Sequence, residues 1–178
     1  LYRLYLEYNQ ISQITLPDSS YDNNNTPLEL YLNYNILNSI TFPQTLRIDY
    51  LNLIDNPLDS IDLSTLYDLY HLRIENSNIT TLDLSNNFNL FYLRVLGNSL
   101  LEFIDLTDLT NLSNAIIYDN VSLLNLDMRN SNLFSYNTTT YNHTFGGITS
   151  FTNNNSLNCI SVDNIAVADA TIGSVIDP

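Results

Sequence analysis

The chain has 178 residues, enough for one domain or one repeat array with a continuous core, and its 44% apolar content is that of a globular chain. Its formal charge is −14, from 19 acidic residues against five arginines and no lysine, which argues against nucleic acid and anionic membranes as partners. No apolar run approaches the roughly 20 residues that cross a bilayer, so no membrane insertion is expected, and a single cysteine excludes an internal disulfide framework.

Internal repetition organises what remains. The unit is L-x-x-L-x-L-x-x-N-x-L-x-x-I-x-L, and the chain opens inside the first copy, with no initiator methionine or signal peptide, so it reads as a piece of something longer. Copy one runs Leu1, Leu4, Leu6, Asn9, Ile11, Ile14, Leu16 and ends at Pro17; a polar loop, Asp18 to Thr26, follows. Copy two has Leu30, Leu32, Asn35, Leu37, Ile40, Phe42 and ends at Pro43. Copy three has Ile48, Leu51, Leu53, Asn56, Leu58, Ile61, Leu63, and copy four has Leu69, Leu72, Ile74, Ser77, Ile79, Leu82, Leu84, with serine in the asparagine column. Copy five has Leu90, Leu93, Val95, Asn98, then Ile104 and Leu106 after a one-residue slip. Copy six has Leu112, Ala115, Ile117, Asn120, Leu124, Leu126.

The column positions 9, 35, 56, 77, 98 and 120 are 26, 21, 21, 21 and 22 residues apart, a regularity that chance does not give. Leu-x-Leu alternation has period 2, so each copy carries a short strand with its leucines on one side. One such strand cannot bury its apolar row alone, but copies stacked about 4.8 Å apart share a core. The column asparagine turns the chain out of the strand, and its amide can satisfy backbone groups of neighbouring coils. The second half of each copy is too short for a helix; Ile61-Asp62-Leu63 again has period 2, which predicts a short extended stretch on the convex side. The expected fold is therefore a β-rich solenoid, a leucine-rich repeat array of about seven coils of 21–22 residues with a parallel concave sheet.

The array divides into repeats one to six (1–129), a polar loop insertion (130–147) closing on Gly146-Gly147, and a last irregular coil with a C-terminal cap (148–178). Ile148, Phe151 and Leu157 resume the pattern, and Cys159 to Asp163 reads as non-repetitive cap. Cys159 packs there as a small hydrophobe, pairs with a cysteine outside the chain, or is a reactive thiol.

These units resemble the internalin-like leucine-rich repeat segments of secreted and cell-surface proteins of Bacteroidetes-type bacteria. Leu82-Asp83-Leu84-Ser85-Asn86-Asn87 is similar to that group's L-D-L-S-N-N signature, and Asn154-Asn155-Ser156-Leu157-Asn158-Cys159-Ile160-Ser161-Val162-Asp163 is similar to its terminator. The resemblance implies a secreted or cell-surface protein, an adhesive module often continued by others. It also implies pairing of the terminator cysteine with one downstream, although this chain reaches Pro178 without a second.

Ligand recognition is expected on the concave face, in the positions that alternate with buried leucines. Three columns result, beginning with Arg3, Tyr50, His71 and Tyr92, then Tyr5, Tyr31, Arg73 and Arg94, then Glu75 and Tyr118, and they hold three of the five arginines. Tyrosine and arginine combine large contact area with a polar handle, which suits a binding surface, although tyrosines also form plain cross-strand ladders. No phosphate loop, nucleophile elbow or metal-ligand motif is present, so no catalysis is expected. No cofactor is expected either; Asp105 with Asp108, or Asp163 with Asn164, offer oxygens for calcium but no dense acidic loop. The expected role is recognition of a protein or glycan. The alternative is a structural block or spacer whose partners are copies of itself in a filament or appendage, and an accessory segment of an enzyme is a third possibility.

Overall fold

In the computed structural model, residues 3–18, 26–131 and 150–162 are described. They wind as a solenoid held by two parallel sheets. The concave sheet takes β1 (Arg3–Tyr5), β2 (Leu28–Tyr31), β3 (Ile48–Asn52), β4 (His71–Glu75), β6 (Tyr92–Leu96) and β8 (Asn114–Tyr118) in that order. The convex sheet stacks β5 (Thr81–Asp83), β7 (Phe103–Asp105), β9 (Asn125–Asp127) and β10 (Cys159–Ser161). A parallel bridge from Ile116 to Ser150 adds a seventh coil to the concave side. No helix occurs among the described residues. The solenoid, its parallel concave sheet and its short convex strands follow the repeat pattern; the convex strands begin only at the fourth coil, since Ile61-Asp62-Leu63 pairs with no neighbour as a strand.

The core is the leucine column itself. Leu4, Leu30, Leu51, Leu72, Leu93 and Ala115 pair in successive registers, and all but the half-buried Leu4 are 0% exposed. Ile74, Val95 and Ile117 form a second buried column, and Leu82, Ile104, Leu126 and Ile160 line the opposite wall. Each fully buried leucine contributes about 2–3 kcal/mol of transfer energy, which makes the column the main force holding the coils together.

Leaving the concave strand, the chain must turn sharply, and it does so with one left-handed residue per coil. Tyr8, Tyr34, Asp55, Asn76, Gly97, Asp119 and Asn153 have φ between 53° and 64°, each immediately ahead of the asparagine-column position. A side chain in this region costs about 1 kcal/mol, so glycine is favoured there. At Gly97 an added Cβ would also lie 2.2 Å from the Asn76 Oδ1. Asn76 in turn donates to Asp55 at 2.8 Å, so moving it out of the way breaks a contact between coils. Gly97→Ala is expected to lower the urea-unfolding free energy by about 1–2 kcal/mol, and an unchanged midpoint would show the turn to be more plastic than this.

The column asparagines staple adjacent coils. Asn120 is 0% exposed; its Oδ1 accepts the N–H of Asn98 at 3.0 Å, and its Nδ2 donates to Val95 O at 3.1 Å. Asn98 and Asn154 repeat this one coil either side, with bonds from Ser77 N–H to Asn98 Oδ1 and from Asn120 N–H to Asn154 Oδ1, both 3.0 Å. In the early coils the acceptor serves a residue two places further on, through Ile11 N–H to Asn35 and Leu37 N–H to Asn56. Ser77 has only a hydroxyl and donates it to Asn98 Oδ1 at 2.6 Å.

Two expectations are corrected at the C-terminal side. Cys159 does not pack inside a cap; it is exposed. Nor is its segment non-repetitive, because Cys159, Ile160 and Ser161 pair with Asn125, Leu126 and Asp127 as one more rung of the convex ladder. Alternation decides the outcome, since the register sends Ile160 inward beside Leu126 and Cys159 outward beside Asn125. Asp163, Asn164 and most of the expected loop insertion lie outside the described residues.

Candidate recognition surface

The concave strands hold the predicted columns in register. Arg3 pairs with Glu29, Glu29 with Tyr50, Tyr50 with His71, His71 with Tyr92 and Tyr92 with Asn114. Tyr5, Tyr31, Asn52, Arg73, Arg94 and Ile116 form the adjacent column in the same way. The parallel stack brings these rings close. Tyr5 and Tyr31 stack at 4.7 Å, Tyr31 and Tyr50 at 4.7 Å, and His71 continues the row 5.7 Å from Tyr50 and 5.5 Å from Tyr92. The ladder thus passes obliquely from one column to the other, one ring per coil, and leaves Tyr5 56% exposed. Tyr118, half-buried at the end of β8, stands beside Leu96 and outside this ladder.

The charged members are already engaged with one another. Glu75 is 5% exposed, and its Oε1 accepts from Arg73 Nη2 at 3.1 Å and Arg94 Nε at 2.8 Å. Two guanidinium side chains, 31% and 30% exposed, over one buried carboxylate leave a local charge of +1 on a strongly acidic chain. Glu75 is therefore placed to hold the arginines rather than to meet a ligand itself. At the other end Arg3 pairs with Glu29 at 2.7 Å, and Glu29 also accepts the Tyr31 hydroxyl at 3.0 Å. Burial, then that hydrogen bond to Glu29, pushes the Tyr31 hydroxyl well above the usual tyrosine range. Burial also pushes His71 below its ordinary value, against the pull of Asp49 and Glu29, which favours a neutral ring inside the ladder.

Protonation sets a testable sign. The Arg47 guanidinium grips Asp68 through two bonds of 2.6 and 2.9 Å and holds its carboxyl below the usual carboxylate range. A carboxylate with a depressed folded value stabilises the fold above the unfolded value of about 3.9, and this contribution is lost as pH falls through the folded one. The difference in melting temperature between the parent and Asp68→Asn is expected to hold near neutral pH and to narrow as pH falls below the ordinary carboxylate value of about 3.9. A gap that widens on acidification would show the pair to be unfavourable.

A scan of protein-family models finds no match to this chain, and a comparison with curated proteins finds none either. Among solved structures the chain is similar to the functional domain of InlJ from Listeria monocytogenes, described as including a cysteine ladder. The match is 20% identical with a TM-score of 0.45, and covers 94% of this chain and 41% of that one. The chain thus spans less than half of the structure it matches.

One aromatic feature escaped the reading of alternate strand positions. Tyr70 and Phe91 stack at 4.9 Å with a 5° interplanar angle, one residue ahead of β4 and β6, at the flank of the sheet. Reading that column across the repeats (Tyr70, Phe91, Ser113) exposes it, because these positions keep the same 21–22-residue spacing as the leucines.

Proposed function

We propose that this chain is a non-catalytic, secreted or cell-surface recognition module that holds a protein or glycan on its concave face. The observation that carries the reading is the continuous ring ladder Tyr5, Tyr31, Tyr50, His71 and Tyr92, flanked by the Arg73–Glu75–Arg94 cluster. Tyrosine ladders stabilise a sheet, but these rings lie on the face opposite the leucine core, where a partner can also reach them. Flat, rigid, amphipathic rings held by stacking lose little entropy when a partner covers them. Six strands about 4.8 Å apart span roughly 25 Å, the scale of a standard interface. Export rests on the resemblance of the repeat and closing motifs to internalin-like surface proteins.

The test is a binding screen of the immobilised chain against a glycan array and a displayed peptide library. The triple variant Tyr5→Ala, Tyr31→Ala, Tyr92→Ala should lose at least ten-fold in affinity for any hit while keeping the parental circular dichroism spectrum. Hits that bind the variant equally well would overturn the concave-face reading. Absence of hits together with concentration-dependent self-association would favour the spacer or building-block alternative.

A further inference from the structure

The flank beside the concave sheet carries a second site of different chemistry. Where coils three, four and five pass into the next coil the chain makes tight turns, with bonds from Leu66 N–H to Leu63 O, Asn87 N–H to Leu84 O and Leu109 N–H to Leu106 O. The turns bury one set of side chains and push two others outward in stacked columns, Asp68, Asn89, Asn111 and Tyr70, Phe91, Ser113. Together with Pro27 these line a groove of about 450 Å³, within the roughly 300–1,000 Å³ typical of small-ligand sites.

Three features select the occupant. Phe91 is stacked by Tyr70 on one side, while on the other its column continues as Ser113, which has no ring to lay over it. The amide nitrogens of Asn89 and Asn111 donate to Tyr67 O and Phe88 O of the preceding coil, both at 2.8 Å, which leaves each Oδ1 fixed as an acceptor. The Asp68 carboxylate is matched by Arg47, so the groove offers no net charge to a cation, and the acidic chain as a whole repels anions. An extended peptide offers its N–H donors along one edge about 6.8 Å apart, whereas the two amide oxygens sit on neighbouring coils about 4.8 Å apart, so it would meet one and cover the other unpaired. A pyranose ring has an apolar C–H face for Phe91 and hydroxyl donors at its edge. We propose that this groove binds a neutral glycan, with one pyranose unit on the free face of Phe91 and its hydroxyls donating to Asn89 and Asn111. The groove adjoins the concave ladder at His71, whose ring meets Tyr70 edge-on at 4.9 Å and lies 6.4 Å from Phe91, but its lining residues are different ones.

The experiment titrates ¹⁵N-labelled chain with maltoheptaose, cellohexaose and mannohexaose in turn. At least one should give saturable shifts at the side-chain amides of Asn89 and Asn111 and at Phe91 and Ser113. Phe91→Ala should weaken that binding at least ten-fold. Ser113→Tyr, which continues the aromatic stack over the open face, should abolish it with the fold intact, so it decides the matter even if Phe91→Ala unfolds. Tyr31→Ala on the concave sheet should leave the affinity within about two-fold. The proposal is overturned if none of the three sugars gives saturable shifts, if binding survives Ser113→Tyr, or if the shifts move to the concave strands.

Discussion

Asn120→Ala is expected to destabilise the array by about 4 kcal/mol, more than loss of any exposed side chain. Truncation leaves the buried Asn98 N–H without the acceptor it has at 3.0 Å, takes one donor, at 3.1 Å, from the Val95 carbonyl, and removes the bonds of Asn120 Nδ2 to Tyr118 O and Asn154 Oδ1. An orphaned group costs about 1–3 kcal/mol, and the lost bonds and the cavity add to this. Asn120→Ser should fall between, because a hydroxyl replaces one of the two functions, as Ser77 does one column position away from Asn98. Equilibrium urea denaturation measures both. A loss under about 1 kcal/mol for the alanine variant would mean that water reaches the turn and the staple is dispensable.

Leu72→Ala should cost nearly as much, about 3–4 kcal/mol, because Leu72 is 0% exposed and pairs in register with Leu51 on one side and Leu93 on the other. The cavity opens in the middle of a stacked column whose neighbours are fixed by strand hydrogen bonds and cannot collapse into it. The same substitution at Leu4, half-buried in β1 with a single neighbouring strand, should cost less than half as much. In a linear array each coil is stabilised by its two neighbours, so the position of a cavity matters as much as its size. Equal losses at Leu4 and Leu72 would mean that the column does not behave as a stack of nearest neighbours.

The same mechanics explain why some surface features could be foreseen and others could not. The leucine and asparagine columns repeat at a fixed interval, and in a parallel stack a fixed interval becomes vertical alignment, so Tyr50, His71 and Tyr92 could be placed in one row before any coordinates. The pairing of Arg73 and Arg94 with a buried Glu75 could not, because all three were legible only as exposed alternating positions. Their side chains are long enough to bend towards one another, and Glu75 sits in a column whose other members Asn33 and Ile54 are buried as well. Cys159 shows the opposite error. Its motif suggested a cap, yet a one-residue choice of register, inward for Ile160 and outward for its neighbour, exposed the thiol.

Periodicity alone determined that this chain is a solenoid and which side chains make its spine, because stacking identical units leaves only one way to bury their leucines; the expected third outward column is instead buried at Asn33, Ile54 and Glu75. The tertiary structure decided the rest: which charges neutralise one another, which rings touch, and where the flank opens into a groove. Those outcomes depend on side-chain reach across coils and on single departures from the repeat, such as Ser113 following Phe91, whose effect appears only when the copies lie side by side.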